Sequence, residues 1–150
     1  MRILFVCMGN ICRSPTVEAV ARAGFARAGL AVEVASAGTE GYHLGQGADP
    51  RSIAAARARG YALEAHRARL LLARDFLDFD AVYAMDRANL AAMRRVREGQ
   101  GVEPVLFLAD TEVPDPYYGR EDGFRQVVAL AEAGVEALVA RLRGMGGVGS

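Results

Sequence analysis

The side chains best placed to do chemistry lie near the N-terminus, in the segment "FVCMGNICRSP" at residues 5–15. Cys7 follows an apolar run and is separated from Arg13 by five residues. If residues 7–13 wrap around a phosphate group, their backbone N–H groups point inward and the positive end of the following helix faces the same spot. Arg13 would supply a planar fork for two phosphate oxygens, and the same field would hold Cys7 as a thiolate ready to attack phosphorus.

The residues between these two suit such a loop. Gly9 permits a close approach of the backbone, and Asn10 is one of the few non-glycine residues that tolerate a left-handed conformation. The predicted phosphate-binding loop consists of Met8, Gly9, Asn10, Ile11, Cys12 and Arg13. The bare Cys-x5-Arg spacing should recur by chance in about one chain of this size in ten. A preceding strand, a glycine, a Ser-Pro pair and a following helix make it far more indicative.

Other sites that use cysteine fit the sequence less well. A thioredoxin-type redox motif places two residues between its cysteines, whereas four separate Cys7 from Cys12. A structural zinc site needs four ligands, and the chain offers two cysteines and two distant histidines. A Walker loop needs a lysine, and the sequence contains none. A buried cysteine at a strand end, or a flavin or nucleotide site on the same fold, remains open.

Four β-prone segments alternate with helical ones. The strands are expected at residues 2–6, 32–36, 80–85 and 104–109. Such alternation predicts an α/β fold: a single three-layer domain with a four-stranded parallel sheet and helices on both faces. Ligands of these sheets bind outside the carboxyl ends of the strands. The loops at 37–49 and 110–122 should therefore meet the loop that carries Cys7.

Helix boundaries follow from capping residues. Ser14 is expected to be the N-cap of the first helix, with Pro15 as its first residue and Gly29 at its end. Further helices are expected from Pro50 to about Arg59, over 86–99 with Asp86 as cap, and from 119 or 122 to 143. The Gly-rich tail at 144–150 is expected to be disordered.

The composition restricts the class of protein. A chain of 150 residues and 16.0 kDa with 52% hydrophobic residues is expected to form one domain, residues 1–143. A net charge of zero argues against a nucleic-acid partner. No apolar run approaches the roughly 20 residues of a membrane span. Two cysteines within one short segment fit a reducing compartment, so we expect a cytoplasmic protein without a membrane partner.

Two segments far apart carry a resemblance to a known family. "VCMGNICRSP" at 6–15 resembles the signature of the low-molecular-weight protein tyrosine phosphatases, and "DPYYG" at 115–119 stands where that family carries its general acid. "SAGT" at 36–39 and "MDRANL" at 85–90 are also similar, so the resemblance covers residues 2–143. It implies a flavodoxin-like fold with the phosphate loop after the first strand.

The resemblance also implies a reaction, the hydrolysis of protein phosphotyrosine or small aryl phosphates through a phosphocysteine. Cys7 would be the nucleophile, Arg13 the phosphate clamp, and Asp115 the general acid and then the general base. Without the segment around Cys7, Asp115 would be an ordinary Asp-Pro turn residue. The family needs no metal or other cofactor. Phosphate, sulfate and vanadate are the expected inhibitors.

Further site residues come from the resemblance alone. They include a polar network that supports the loop, formed by Asn10, Ser14, Ser36 and His66. Ser14 would donate a hydrogen bond to the Cys7 thiolate. The family often has an acidic residue before the serine of "SAGT"; here that residue is Ala35, and Glu18 could partner His66 instead.

The substrate pocket implied by the resemblance is apolar and aromatic, and its lining consists of Met8, Ile11, Tyr42 and Tyr117. A deep slot with two aromatic faces suits a flat phenyl phosphate better than a short phosphoserine stem. Taken singly, either tyrosine could equally be a loop residue packed on the core. Cys12 is either a redox partner that traps oxidised Cys7 as a reversible disulfide or a small filler beneath the loop.

Proteins with related activities differ from this sequence at particular residues. Phosphoarginine phosphatases of this family tend to carry Thr at the position of Ile11 and a shorter acid motif, and arsenate reductases on this fold need two further cysteines. A phosphocarrier would also use a cysteine in a phosphate loop, but it would not need Arg13 and Asp115 together. A non-catalytic phosphate or FMN binder is a third possibility.

Overall fold

Strands and helices follow one another along residues 1–148, which the computed structural model describes; side chains are described through residue 144. The strands are β1 Arg2–Cys7, β2 Glu33–Gly38, β3 Ala81–Ala84 and β4 Val105–Leu106. The helices are α1 Arg13–Arg27, α2 Pro50–Arg57, α3 Asp75–Asp78, α4 Arg87–Arg97 and α5 Glu121–Val148. No helix in the described range is long and apolar enough to cross a bilayer.

The four strands form one parallel sheet in the order β2-β1-β3-β4. Strand β1 is central because its residues from Ile3 onward are buried on both faces. Ile3, Phe5 and Cys7 join the core under α1, α2 and α5, whereas Leu4 and Val6 join the core under α3 and α4. The predicted three-layer α/β fold with a four-stranded parallel sheet is confirmed.

Two predicted helix starts agree with the structure and one is wrong. Helix α2 begins at Pro50, and Asp86 is the N-cap of α4, where its side chain accepts from the backbone N–H of Asn89 at 2.7 Å. Ser14 is not an N-cap, because α1 already begins at Arg13. The Ser14 hydroxyl is instead turned toward Cys7 and Asn10, which hold it inside the structure.

Other boundaries differ from the sequence-based expectation. Strand β4 is only Val105–Leu106, because the chain bends away once the Phe107 N–H has bonded to the Ala84 carbonyl. The short helix α3 had no sequence signal. Helix α5 continues to Val148, so residues 144–148 of the expected disordered tail are helical, and residues 149–150 lie outside the described range.

The loops at the carboxyl ends of β1 and β2 are fastened together. The backbone N–H groups of Thr39 and Glu40 donate to the carbonyls of Cys7 and Met8, each at 3.0 Å. Gly38 lies so close beneath this loop that a Cβ there would stand 2.7 Å from the Met8 carbonyl oxygen. The end of β2 therefore supports the loop that follows β1.

Candidate active site

The loop between β1 and α1 is held by one residue in a left-handed conformation. Asn10 has a φ of 58°, and it is fully buried. Cys7 ends β1 and Arg13 begins α1, so the six-residue step from strand to helix brings both side chains to the same end of the sheet. Each is only 2% exposed. The short connection between β1 and α1 thus places Cys7 and Arg13 at the same site.

A line of hydrogen bonds leads from Cys7 through Asn10 to Glu18 of α1. The Ser14 Oγ lies 3.0 Å from the Cys7 Sγ. The Asn10 Nδ2 donates to Ser14 Oγ at 2.8 Å and to Ser36 Oγ at 3.0 Å, and Ser36 in turn donates to Glu18 at 2.6 Å. Because Ser14 already accepts from Asn10, its own proton is free to point at the sulfur or at the more distant Ala37 carbonyl.

Asn10 is also held from the side of the 66–71 segment. The His66 Nε2 donates to the Asn10 carbonyl at 2.6 Å, and the Arg69 N–H donates to the Asn10 Oδ1 at 3.0 Å. The expected contact between Glu18 and His66 is not what the structure has: Glu18 instead accepts from Ser36 and from Arg22, both at 2.6 Å. The His66 ring bonds to the backbone of the loop instead.

Arg13 is buried among acceptors from two distant segments. One of its nitrogens donates to Asp86 at 2.6 Å and to the Val113 carbonyl at 3.1 Å. The other terminal nitrogen lies 3.7 Å from the Asp115 carboxylate. Burial by itself lowers the pKa of Arg13, but the neighbouring Cys7 and Asp86 outweigh it and raise that pKa. The guanidinium is thus a permanent, oriented positive charge beside Cys7.

The loop between β4 and α5, called the acid loop because it carries the Asp115 carboxyl group, brings Asp115 to this charge. The Val113 N–H donates to the Met85 carbonyl at 2.8 Å, which fastens the loop to the end of β3. Asp115 is 41% exposed, and one of its oxygens accepts from the Tyr117 N–H at 3.1 Å. A carboxylate at the rim of a buried site can exchange protons with both solvent and ligand.

These segments enclose a cavity of about 140 Å³. Its lining consists of Cys7, Met8, Gly9, Ile11, Cys12, Arg13, Tyr42, His43, Asp115, Tyr117 and Tyr118. The structure therefore brings together all four expected pocket residues with Cys7, Arg13 and Asp115. Asn10, Ser14, Ser36 and His66 do not line the cavity; they support its floor.

Three residues of the site were not singled out as such in the sequence. His43 and Tyr118 line the cavity, and each stands next to a tyrosine that was expected there. Asp86 was expected only as a helix cap, yet it also holds Arg13. Its position directly after the strand expected at 80–85, at the carboxyl edge of the sheet, was the signal that could have identified it.

Cys12, the loop residue directly before α1, is a second free thiol and lines the cavity. Both cysteines are buried and unpaired. Burial raises the pKa of Cys12 to about 12, with a smaller contribution from the charge of Asp49. Cys12 is therefore a neutral thiol at neutral pH.

Comparison with known proteins decides the family. Residues 2–145 match the family model described as low molecular weight phosphotyrosine protein phosphatase. The chain belongs to the low-molecular-weight protein-tyrosine-phosphatase family. This membership makes it a metal-independent protein-tyrosine phosphatase, and the resemblance inferred from the sequence is confirmed.

Relatives of this phosphatase span nearly its whole length. It is similar to a low molecular weight protein-tyrosine-phosphatase of Streptomyces coelicolor, with 44% identity over 95% of this chain and 93% of the relative. A protein tyrosine phosphatase structure from Entamoeba histolytica, with Hepes in its active site, matches with a TM-score of 0.90 and 38% identity, covering 96% of this chain and 97% of that one. Vibrio vulnificus Wzb in complex with benzylphosphonate matches with a TM-score of 0.84 and 28% identity, covering 93% and 97%.

Proposed function

We propose that this phosphatase hydrolyses phosphotyrosine in proteins, or small aryl phosphates, through a phosphocysteine on Cys7. The observation that supports the proposal most directly is the position of the Arg13 guanidinium. One side of it is bound by Asp86, the other faces Asp115 at 3.7 Å, and Cys7 lies in the same cavity. A nucleophile, an anion clamp and a proton donor thus surround one small volume.

In the first step the Cys7 Sγ attacks phosphorus in line with the phenol oxygen. The S–P bond forms as the P–O bond breaks, and Asp115 gives its proton to the departing phenol oxygen. Arg13 and the backbone N–H groups of the loop hold the charge on the equatorial oxygens. The Ser14 hydroxyl, 3.0 Å from the sulfur, stabilises the thiolate before attack and after its release.

In the second step water attacks the phosphocysteine. Asp115, now a carboxylate, takes a proton from that water, the S–P bond breaks, and inorganic phosphate and the Cys7 thiolate are released. Phosphate, sulfate and vanadate should inhibit because they present the same oxygens to Arg13 and the loop. The proposed binding of such anions agrees with the benzylphosphonate in the Vibrio relative.

The shape of the cavity supports an aryl substrate. Tyr117 is half-buried and Tyr42 is 69% exposed, so Tyr117 would flank the phenyl ring and Tyr42 would cover it from the rim. Ile11 and Met8 supply apolar surface from the loop. The side chain of phosphoserine is shorter than that of phosphotyrosine. It would not fill the space beside these apolar residues when its phosphate is bound to Arg13.

The test is the turnover of p-nitrophenyl phosphate by the Cys7→Ser variant, which should be abolished. Asp115→Asn should slow phenyl phosphate strongly while a phosphocysteine still forms and can be trapped. Asp110→Asn, a carboxyl change in the same loop outside the cavity lining, is the matched control. Normal turnover by Cys7→Ser would overturn the mechanism, and a stable phosphoprotein without phosphate release would favour a phosphocarrier.

A panel of phosphopeptides decides the substrate class. Phosphotyrosine peptide should be hydrolysed in strong preference to phosphoserine and phosphoarginine peptides of the same flanking sequence. A preference for phosphoarginine would contradict the aryl pocket while leaving the roles of Cys7 and Arg13 intact.

We further propose that Cys12 is the redox partner of Cys7 and that the enzyme works in the reducing cytoplasm. An oxidant such as hydrogen peroxide converts the Cys7 thiolate to a sulfenic acid. The Cys12 thiol then displaces its hydroxyl as water and forms a disulfide, which a cellular dithiol reduces. The two cysteines belong to the same short loop, which supports this pairing.

A further inference from the structure

Arg51 is a charged residue of α2 to which the mechanism assigns no role; its side chain is 37% exposed and is bound at two points. Its Nε and terminal nitrogen bond to the two oxygens of Asp49 at 3.1 and 2.9 Å. The backbone N–H of Arg51 also donates to Asp49, at 2.8 Å. A guanidinium bound in this two-point manner has a fixed plane.

The fixed guanidinium lies against two aromatic rings. Its Cζ is 4.4 Å from the ring centroid of Phe124 in α5 and 5.5 Å from that of Tyr117 in the acid loop. Both distances are within the range of a cation–π contact. Phe124 is 2% exposed, so Arg51 connects the acid loop to a residue buried in the core.

Tyr117 in turn contacts Asp115, the proposed general acid. Its backbone N–H donates to one oxygen of Asp115 at 3.1 Å, while the other Asp115 oxygen lies 3.7 Å from Arg13. On the other side, the backbone N–H of Asp49 donates to the Ile11 carbonyl of the phosphate-binding loop at 2.9 Å. The Asp49–Arg51 pair therefore bridges the loop that holds the phosphate and the loop that carries the acid.

We propose that Arg51 is a positioning residue that holds the acid loop, through the Tyr117 ring, so that Asp115 faces the leaving-group oxygen. This inference rests on the proposed role of Asp115 as general acid. Arg51 does not line the cavity and touches no reacting atom, so its effect passes through Asp115. Loss of Arg51 should therefore matter only when the leaving group needs a proton.

Two substrates separate this role from general stability. Phenyl phosphate has a basic leaving group that needs protonation, whereas 2,4-dinitrophenyl phosphate leaves readily as an anion. The ratio kcat/KM reports the steps up to release of the phenol. For Arg51→Met we expect a loss of about tenfold on phenyl phosphate and less than about twofold on 2,4-dinitrophenyl phosphate, because general-acid catalysis contributes 10²–10⁴-fold when fully in place.

The controls use the same helix and the same loop. Arg57→Met removes another α2 guanidinium, one that pairs with Glu64 on the surface. It should leave kcat/KM unchanged on both substrates. Arg51→Lys keeps the charge but loses the fork, and should show a smaller selective loss. The Arg51→Met effect should shrink in a Tyr117→Leu background and persist in a Tyr117→Phe background, because only phenylalanine keeps the ring.

Equal losses on the two substrates, or an Arg51→Met enzyme no different from Arg57→Met, would overturn the inference. If Arg51→Met does not fold, Arg51→Lys and the Tyr117 pair give the same comparison. Asp115→Asn assayed alongside separates the two proposals. If Asp115→Asn lowers kcat/KM equally on both substrates, the proposed role of Asp115 as general acid is wrong. If Asp115→Asn is selective for phenyl phosphate and the Arg51 variants are not, only the proposed role of Arg51 is wrong.

Discussion

Arg13 and Asp86, 73 positions apart in the chain, form an ion pair of 2.6 Å in which the guanidinium is 2% exposed. The same carboxylate caps α4 through the Asn89 N–H at 2.7 Å. Asp86 thus makes two contacts: it orients Arg13, the proposed phosphate clamp, and it caps the first turn of α4. Different substitutions at this position remove one contact or both.

Asp86→Asn should keep the helix cap but lose the charge opposite Arg13. We expect the free energy of unfolding to fall by about 1.5–3 kcal/mol, the range for hydrogen bonds to charged groups, with reduced kcat/KM for aryl phosphates. Asp86→Ala loses the cap as well and should cost about 1 kcal/mol more. Urea denaturation of the three proteins measures both differences, and an Asn variant as stable as the wild type would contradict the first.

Gly38→Ala should disturb the phosphate-binding loop. A Cβ at this position would stand 2.7 Å from the Met8 carbonyl oxygen and 3.2 Å from the Asn10 backbone nitrogen, so the loop must shift. Misplacement of catalytic groups by about 1 Å costs up to roughly a hundredfold in rate, and we expect a loss of kcat/KM approaching that size.

The matched control for that prediction is Gly41→Ala in the loop that follows β2, where an added Cβ meets nothing within 4 Å. It should leave kcat/KM and thermal stability close to those of the wild type. Equal activity of the two alanine variants would show that the end of β2 does not support the loop.

Asp49 makes stability depend on pH. Its burial raises the pKa of the carboxyl, but the side-chain and backbone hydrogen bonds from Arg51 outweigh burial and hold that pKa below the ordinary value of 3.8. Folding therefore favours the carboxylate. Its stabilisation is fully present above the unfolded pKa and is lost as the pH falls through the lower folded value.

The difference in free energy of unfolding between the wild type and Asp49→Asn should consequently be largest between pH 5 and 7 and should shrink toward pH 3, as urea denaturation at each pH would measure. The Glu33 side chain is 78% exposed and pairs with Arg2. Glu33→Gln should therefore change the free energy of unfolding by less than about 1 kcal/mol. A difference for Asp49→Asn that grows in acid would contradict the sign of the effect.

Cys12 should govern recovery from oxidation. After brief exposure to hydrogen peroxide and then a dithiol, the wild type should regain most of its own untreated activity, because the disulfide protects Cys7. Cys12→Ser should regain much less, and mass spectrometry should detect sulfinic acid on its Cys7. Equal recovery by the two proteins would leave Cys12 as a filler beneath the loop.

The sequence was a good guide to whatever depends on neighbouring residues. The Cys7-to-Arg13 spacing, the left-handed Asn10 and the Asp86 cap all agree with the structure, since each involves one turn of chain. The sequence did not predict the role of Ser14 as a helix residue correctly. Serine is favoured at an N-cap, but in the structure the Ser14 hydroxyl bonds to Cys7 and Asn10 instead.

The sequence by itself determined the parallel sheet, the family, and the loop that joins Cys7 to Arg13. Alternating strand and helix patterns and short motifs each depend on residues that are consecutive in the chain. Only the tertiary structure decided that Asp86 and Asp115 flank the Arg13 guanidinium, that His43 and Tyr118 enter the cavity, and that Glu18 bonds to Ser36. Those contacts join segments far apart in the chain. They depend on strand order and on how side chains compete for donors in a packed interior, which residue periodicity does not encode.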